Sequence, residues 1–151
     1  MATLFTRIID GELPARFVWR DDTVVAFLAL HPLSEGHTLV VPRLEIDQWT
    51  DLPNPVAAHA MGVAHHVGKA HQAGFGSARV GLIIAGFEVP HTHLHVFGAA
   101  NMAAFDFANA SAEAEPPGMD DAAERLRTAL REAGHAGAVD GDGVSPPADT
   151  A

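Results

Sequence analysis

Seven residues, His91-Thr92-His93-Leu94-His95-Val96-Phe97, put a histidine at every second position. Side chains i, i+2 and i+4 of an extended strand share one face. The alternation therefore predicts a strand that lines up three imidazoles on one side and buries Leu94 and Val96 on the other. Histidine is the side chain whose ordinary pKa lies nearest physiological pH, so such a face suits nucleophilic and proton-transfer work.

The flanking sequence supplies partners for this strand. Phe17-Val18-Trp19-Arg20 and Val24-Val25-Ala26-Phe27-Leu28 are β-rich runs around the polar turn Asp21-Asp22-Thr23, which reads as a hairpin. His37-Thr38-Leu39-Val40-Val41, closed by Pro42, is a third strand, and Val80-Gly81-Leu82-Ile83-Ile84 is an apolar run of strand length. Leu4 to Ile9 reads as a short helical turn ended by Asp10-Gly11 and Pro14. Val56, Ala60, Val63, Val67 and Ala70 step by four and three along one main helix, with Pro55 in its first turn and Gly74 after its end. The fold class is α+β, an antiparallel sheet with one main helix, over a domain spanning residues 1–108. Residues 109–133 read as a linker, halted at Pro116-Pro117-Gly118, and a short amphipathic helix. That helix is capped by Asp121 with Glu124 and marked by Ala122, Leu126, Ala129, Leu130 and Ala133. The Gly/Asp/Pro composition of residues 134–151 predicts a disordered tail.

Composition narrows the function classes. The chain has no cysteine, hence no disulfide framework and no thiolate metal site. No apolar run approaches the roughly 20 residues of a membrane span, and the first residues lack the pattern of a secretory signal. The expected location is cytoplasmic, with no membrane partner. The net charge of −10 is uneven: residues 1–100 carry nine acidic against six basic side chains, residues 101–151 ten against three. The acidity thus collects in the C-terminal third, and no basic cluster is available to grip a phosphate backbone, which argues against nucleic acid as a partner.

Three adjacent buried imidazoles need more partners than a purely structural role supplies. A metal site is the first alternative, but a strand rises about 3.3 Å per residue, so His91 and His95 lie roughly 13 Å apart along it. Zn–N bonds of about 2.1 Å do not close that gap. Two neighbours could chelate only with help from Glu88, His37 or His31. The reading that fits best is nucleophilic catalysis, with no metal and no cofactor. A neutral imidazole nitrogen at His93 attacks phosphorus, and the flanking histidines bind phosphoryl oxygens or protonate the leaving group. His59, His65, His66 and His71 read as solvated positions of the main helix, and His135 as inert in the tail. No GxxxxGK or GxGxxG phosphate loop is present.

His91 to Phe97 resembles the His-φ-His-φ-His-φ-φ signature of the histidine triad (HIT) family of nucleotide-binding proteins, with Thr92 at the first apolar position. The likeness extends to Phe5-Thr6-Arg7-Ile8-Ile9-Asp10-Gly11-Glu12-Leu13-Pro14-Ala15, to Asp21-Asp22 through Phe27, and to Gly36-His37-Thr38-Leu39-Val40-Val41-Pro42, and covers about residues 3–98. The resemblance implies a five-stranded antiparallel sheet per chain, joined across a homodimer into a ten-stranded sheet. It implies that His93 takes up a nucleoside monophosphate, that His91 and His95 orient it and contact phosphate, and that His37 lies near the same site. Leu4, Phe5, Ile8, Phe27 and Leu30 match positions that enclose a nucleobase, and Glu88, just before the triad, joins them as a nucleotide-binding candidate. His95 as third member resembles the hydrolase branches, whose substrates are purine nucleotides or nucleoside phosphoramidates. Ala29 replaces an acidic ribose-binding residue, Phe87 a phosphate-binding glutamine, and Thr3 and Thr6 two cysteines that hold zinc in some relatives. These departures favour, as the alternative, a nucleotide-binding dimer with little turnover that serves as a sensor or interaction module.

Overall fold

The β-rich runs form five strands: β1 (Phe17–Arg20), β2 (Val24–Leu28), β3 (Thr38–Pro42), β4 (Arg79–Ile83) and β5 (Leu94–Ala99). They make one wholly antiparallel sheet in the order β1-β2-β3-β5-β4. The computed structural model describes residues 1–112 and 116–141. Asp21 locks the β1–β2 hairpin: one carboxylate oxygen accepts the N–H groups of Thr23 and Val24, both at 2.8 Å, and the other accepts Trp19 Nε1–H. Among the described residues no helix is long and apolar enough to cross a membrane.

The two faces of the sheet carry different cores. Alternate residues Val24, Ala26, Leu28, Val40, Leu94 and Val96 pack against α2 (Asn54–Phe75) and α3 (Pro116–Leu130). The opposite set, Val25, Phe27, Leu39 and Val41, meets Phe5 and Ile8 of α1 (Leu4–Ile9). Burying one such side chain is worth about 1.5–3 kcal/mol, so both layers are strongly held in register. Leu94 and Val96 lie on the helix side as the alternation predicts, but β5 starts at Leu94. Of the three histidines only His95 sits in the strand ladder, and His91 and His93 occupy the extended approach to it.

Several boundaries differ from the sequence reading. Helix α2 runs on through Gly74 to Phe75 and stops at Gly76, which takes the left-handed conformation (φ 62°) of a helix C-terminus. Helix α3 begins at Pro116 instead of stopping there, because proline fits the first helical turn, where its missing N–H has no partner to lose. It buries Met119, Ala122, Ala123, Leu126 and Leu130. Part of the predicted disordered tail is ordered. After a break at Gly134 (φ 99°), α4 (Ala136–Asp140) packs back on β1, with Ala138 and Val139 against the core. His135 is therefore packed rather than in a loose tail; its ring lies 4.2 Å from that of His66, which stacks on Trp19. Residues 142–151 of that tail lie outside the described residues.

Candidate active site

The hydrogen bonds around His93 leave little choice of proton positions. Its Nδ1 lies 2.7 Å from the backbone carbonyl of His91, and a carbonyl only accepts, so Nδ1 carries the hydrogen. The neutral ring then has its lone pair on Nε2. Burial pushes the pKa of His93 below the ordinary 6.5, against the opposing pull of that carbonyl, and the neutral form prevails at pH 7. The ring edge is seated against Phe5, with centroids 4.8 Å apart. His93 is thus a neutral imidazole held from behind, with one unprotonated nitrogen.

A second pair has equally directed bonds. The backbone N–H of Leu33 donates to His37 Nδ1 at 2.9 Å, so a neutral His37 has its hydrogen on Nε2. That atom faces His95 Nδ1 at 3.0 Å, which therefore accepts, leaving the hydrogen of a neutral His95 on its own Nε2. Burial first, then the neighbouring histidines, lower His37 to about 3 and His95 to about 4. The His95 ring lies 4.9 Å from that of His93 and 4.9 Å from that of Phe107. Two adjacent rings thus carry a lone pair on His93 Nε2 and an N–H on His95 Nε2.

The first triad member, His91, behaves differently from expectation. His91 is fully buried; its Nε2 donates to the Pro42 carbonyl at 2.7 Å, and its Nδ1 is bonded to the Thr3 hydroxyl at 2.8 Å. No ring nitrogen is left for phosphate, so His91 can orient His93 but not touch the anion. Thr92, where an apolar residue was anticipated, is buried with its hydroxyl donated to the carbonyls of Ile46 and Asp47. Of the apolar candidates, Phe5, Ile8 and Phe27 meet in one cluster beside the histidines, whereas Leu4 and Leu30 are exposed outside it. Glu88 is exposed, near enough to favour the protonated form of His93. Phe87 stands 98% exposed on the loop before the triad, and Ala29 is buried beneath the site.

The sequence profile of the HIT domain matches residues 10–102, which include all four of these histidines. The chain belongs to the HIT family. An uncharacterised HIT-like protein of Methanocaldococcus jannaschii is 35% identical over 97 residues, 62% of this chain and 75% of that protein. An adenosine 5'-monophosphoramidase of Saccharomyces cerevisiae is 30% identical over 63% of this chain and 61% of its own length. An adenylylsulfatase of Arabidopsis thaliana is 31% identical over 62% of this chain and half of its own length. Among solved structures, a zinc-bound histidine triad family protein of Mycobacterium smegmatis is 26% identical and superposes with a TM-score of 0.75, covering 90% of this chain and 98% of that one.

In this HIT chain the surroundings of the histidines include groups that patterns of side-chain type do not reveal. The Leu33 amide and the Pro42 and His91 carbonyls fix the tautomers, yet backbone groups leave no mark in composition. Phe107 reaches His95 from a single-turn segment with no periodicity of its own. Gly36 did carry a signal: it has φ 82°, and a Cβ there would stand 2.7 Å from the Phe75 ring. Only glycine lets the loop before His37 close over α2 in this way.

His71, expected on the solvated face of α2, is instead fully buried, and among the described residues neither ring nitrogen has a partner in good hydrogen-bond geometry. Burial lowers its pKa to about 4, against the opposing effect of the nearby Gly36 backbone. Because the folded value lies below the unfolded 6.5, the contribution to stability is fully present above pH 6.5 and is lost as pH falls from there through about 4. His71→Leu should raise stability at pH 7 by about 1 kcal/mol, the scale of a relieved buried polar group. It should also flatten the drop in melting temperature between pH 7 and pH 5, as followed by thermal melts. An unchanged drop would show that His71 is not its source.

Proposed function

We propose that this HIT protein hydrolyses nucleoside phosphoramidates or related nucleotides through a covalent nucleotidyl-histidine at His93 Nε2. The observation that carries the reading is the direction of the hydrogen bonds. His93 Nδ1–H is spent on a carbonyl, which leaves a buried, neutral ring with an unprotonated Nε2, 4.9 Å from the ring of His95, whose own Nε2 carries hydrogen. Attack by Nε2 on the α-phosphorus forms the N–P bond as the bond to the leaving group breaks. An anionic phosphoryl group favours uptake of one proton by the His37–His95 pair, and His95 passes it to the departing nitrogen. Water then displaces His93 from phosphorus and the proton is released, so the enzyme returns to its starting state.

The named relatives share the adenylyl group but differ in leaving group, an amine in one and sulfate in the other. This chain's pairing of one nucleophile with one adjacent donor suits either. Incubation with an adenosine phosphoramidate in the presence of a chelator should release AMP, and alkaline quenching during turnover, which spares the acid-labile N–P bond, should leave one adenylyl group on His93. Micromolar nucleotide binding without detectable turnover across phosphoramidates and dinucleotides would support the sensor reading instead.

The same reading includes a homodimer, paired through β4. That strand bonds only to β5, and its outer edge is open among the described residues. Beside it, exposed Leu82 and Met61 border an apolar groove between β4 and α2. An unpaired edge flanked by apolar side chains is a template for a second strand. Sedimentation should give twice the chain mass, and Leu82→Glu should shift it toward one.

A further inference from the structure

Three segments that are remote in sequence meet behind His91. Thr3 and Thr6 come from the start of α1, Glu45 from the stretch after β3, and His91 from the triad. Since His91 Nε2 donates to Pro42, the neutral ring accepts at Nδ1, and the Thr3 hydroxyl is the donor at 2.8 Å. Thr3 Oγ in turn accepts the Thr6 N–H at 3.2 Å and so caps α1. Glu45 Oε1 accepts the Thr3 N–H at 2.7 Å and the Thr6 hydroxyl at 2.8 Å. With its hydroxyl proton on Glu45, Thr6 does not compete for His91 Nδ1, from which it stands 3.5 Å away. Every donor in the cluster therefore has an acceptor, in one consistent arrangement.

What this cluster holds is the group that aims the nucleophile. The His91 carbonyl takes Nδ1–H of His93, yet His91 lies outside the β5 ladder and its carbonyl is not set by strand pairing. Its position depends on the Val89 carbonyl bonded to its N–H and on the two anchors of its ring. Phe5, on the helix that Thr3 caps, packs on His93 itself. We propose that Thr3, backed by Thr6 and Glu45, is a positioning residue for His93: its hydroxyl fixes His91, and thereby the carbonyl that keeps the His93 Nε2 unprotonated and aimed. The clasp also ties the helix facing the nucleobase to the nucleophile, so base binding and nucleophile alignment are mechanically one event. This rests on the reading of His93 as nucleophile.

The test uses the full chain and two independent readouts. A displacement of the order of 1 Å at a reacting group costs up to about 100-fold. Thr3→Val should therefore lower kcat for an adenosine phosphoramidate by about 10- to 100-fold, with KM changed far less. Thr3→Ser, which restores the hydroxyl, should recover most of kcat. In nitrogen-15 NMR at pH 7 the His93 Nδ1–H should be seen as a protected, hydrogen-bonded proton in the wild type and in Thr3→Ser. In Thr3→Val it should be lost or broadened. An unchanged resonance in folded Thr3→Val, or wild-type kcat, overturns the clasp whether or not His93 is the nucleophile. Turnover that survives His93→Ala overturns the nucleophile reading, while the resonance still decides the clasp. Should Thr3→Val not fold, Glu45→Ala changes only an exposed side chain and should lower kcat several-fold; wild-type kcat there overturns the proposal.

Discussion

His93→Ala should abolish AMP release from an adenosine phosphoramidate, with kcat/KM falling on the order of 10³-fold or more. The size of the effect follows from how the site is organised. Among the described residues no other histidine of this face offers an unprotonated, unengaged nitrogen: both nitrogens of His91 are bonded, His37 Nδ1 is occupied by the Leu33 amide, and His95 Nδ1 faces His37. A water molecule would have to attack directly in the variant, and the division into two easier displacements would be gone. The loss should appear in kcat more than in KM, because the substitution removes the proposed nucleophile and leaves the side chains of the Phe5, Ile8 and Phe27 cluster unaltered in identity. The adenylyl group trapped on the wild-type protein by alkaline quenching should be absent. Hydrolysis undiminished in the alanine variant would falsify the covalent mechanism, and mass spectrometry of the quenched protein checks the same point without rates.

Much of the fold is written in the residue pattern. Strands β1, β2 and β3 appear close to where β-branched and aromatic runs place them, because each strand has one face that must be buried. The three triad histidines were legible from their spacing, and His37 was tied to them only by the family resemblance; the register that pairs Leu39 with His95 is what brings it there. What the sequence did not carry was the division of labour. Period two treats His91, His93 and His95 as equivalent, whereas the chain leaves the ladder before Leu94, and His91 turns to Pro42 and Thr3. That turn depends on carbonyls and on a helix cap 88 residues away, neither of which has a local signature. His71 and His135 failed for a related reason. Amphipathic counting ranks histidine as polar, but a neutral imidazole is flat and largely apolar, and both are used as packing rings against Phe75, His66 and Trp19. The C-terminal helix escaped its boundary because proline was read as a stop where it serves as a start.

His95→Ala should show a loss that depends on the leaving group. His95 presents its Nε2–H beside the nucleophile, with its Nδ1 held by His37 and its ring braced by Phe107. A donor so placed acts on the atom that departs from phosphorus, and general acids contribute typically ~10²–10⁴-fold. For an alkylamine, which leaves only with a proton, the variant should lose kcat/KM over that range. For a leaving group that is already a stable anion, such as sulfate or a nitrophenolate, the loss should fall to about tenfold or less, since little proton transfer is needed in the transition state. Plotting rate against leaving-group pKa for wild type and variant separates the roles: a steeper slope in the variant marks the lost acid, whereas parallel lines mark a group that binds phosphoryl oxygen without donating to the leaving atom. His37→Ala should reproduce part of the same slope change, because it removes the hydrogen bond that fixes which nitrogen of His95 carries the proton. The neutral state of the free pair at pH 7, with values of about 3 and 4, also sets a sign. Uptake of a proton on substrate binding makes kcat/KM for amine substrates fall as pH rises, and the His95→Ala variant should lose that dependence along with its sensitivity to the leaving group.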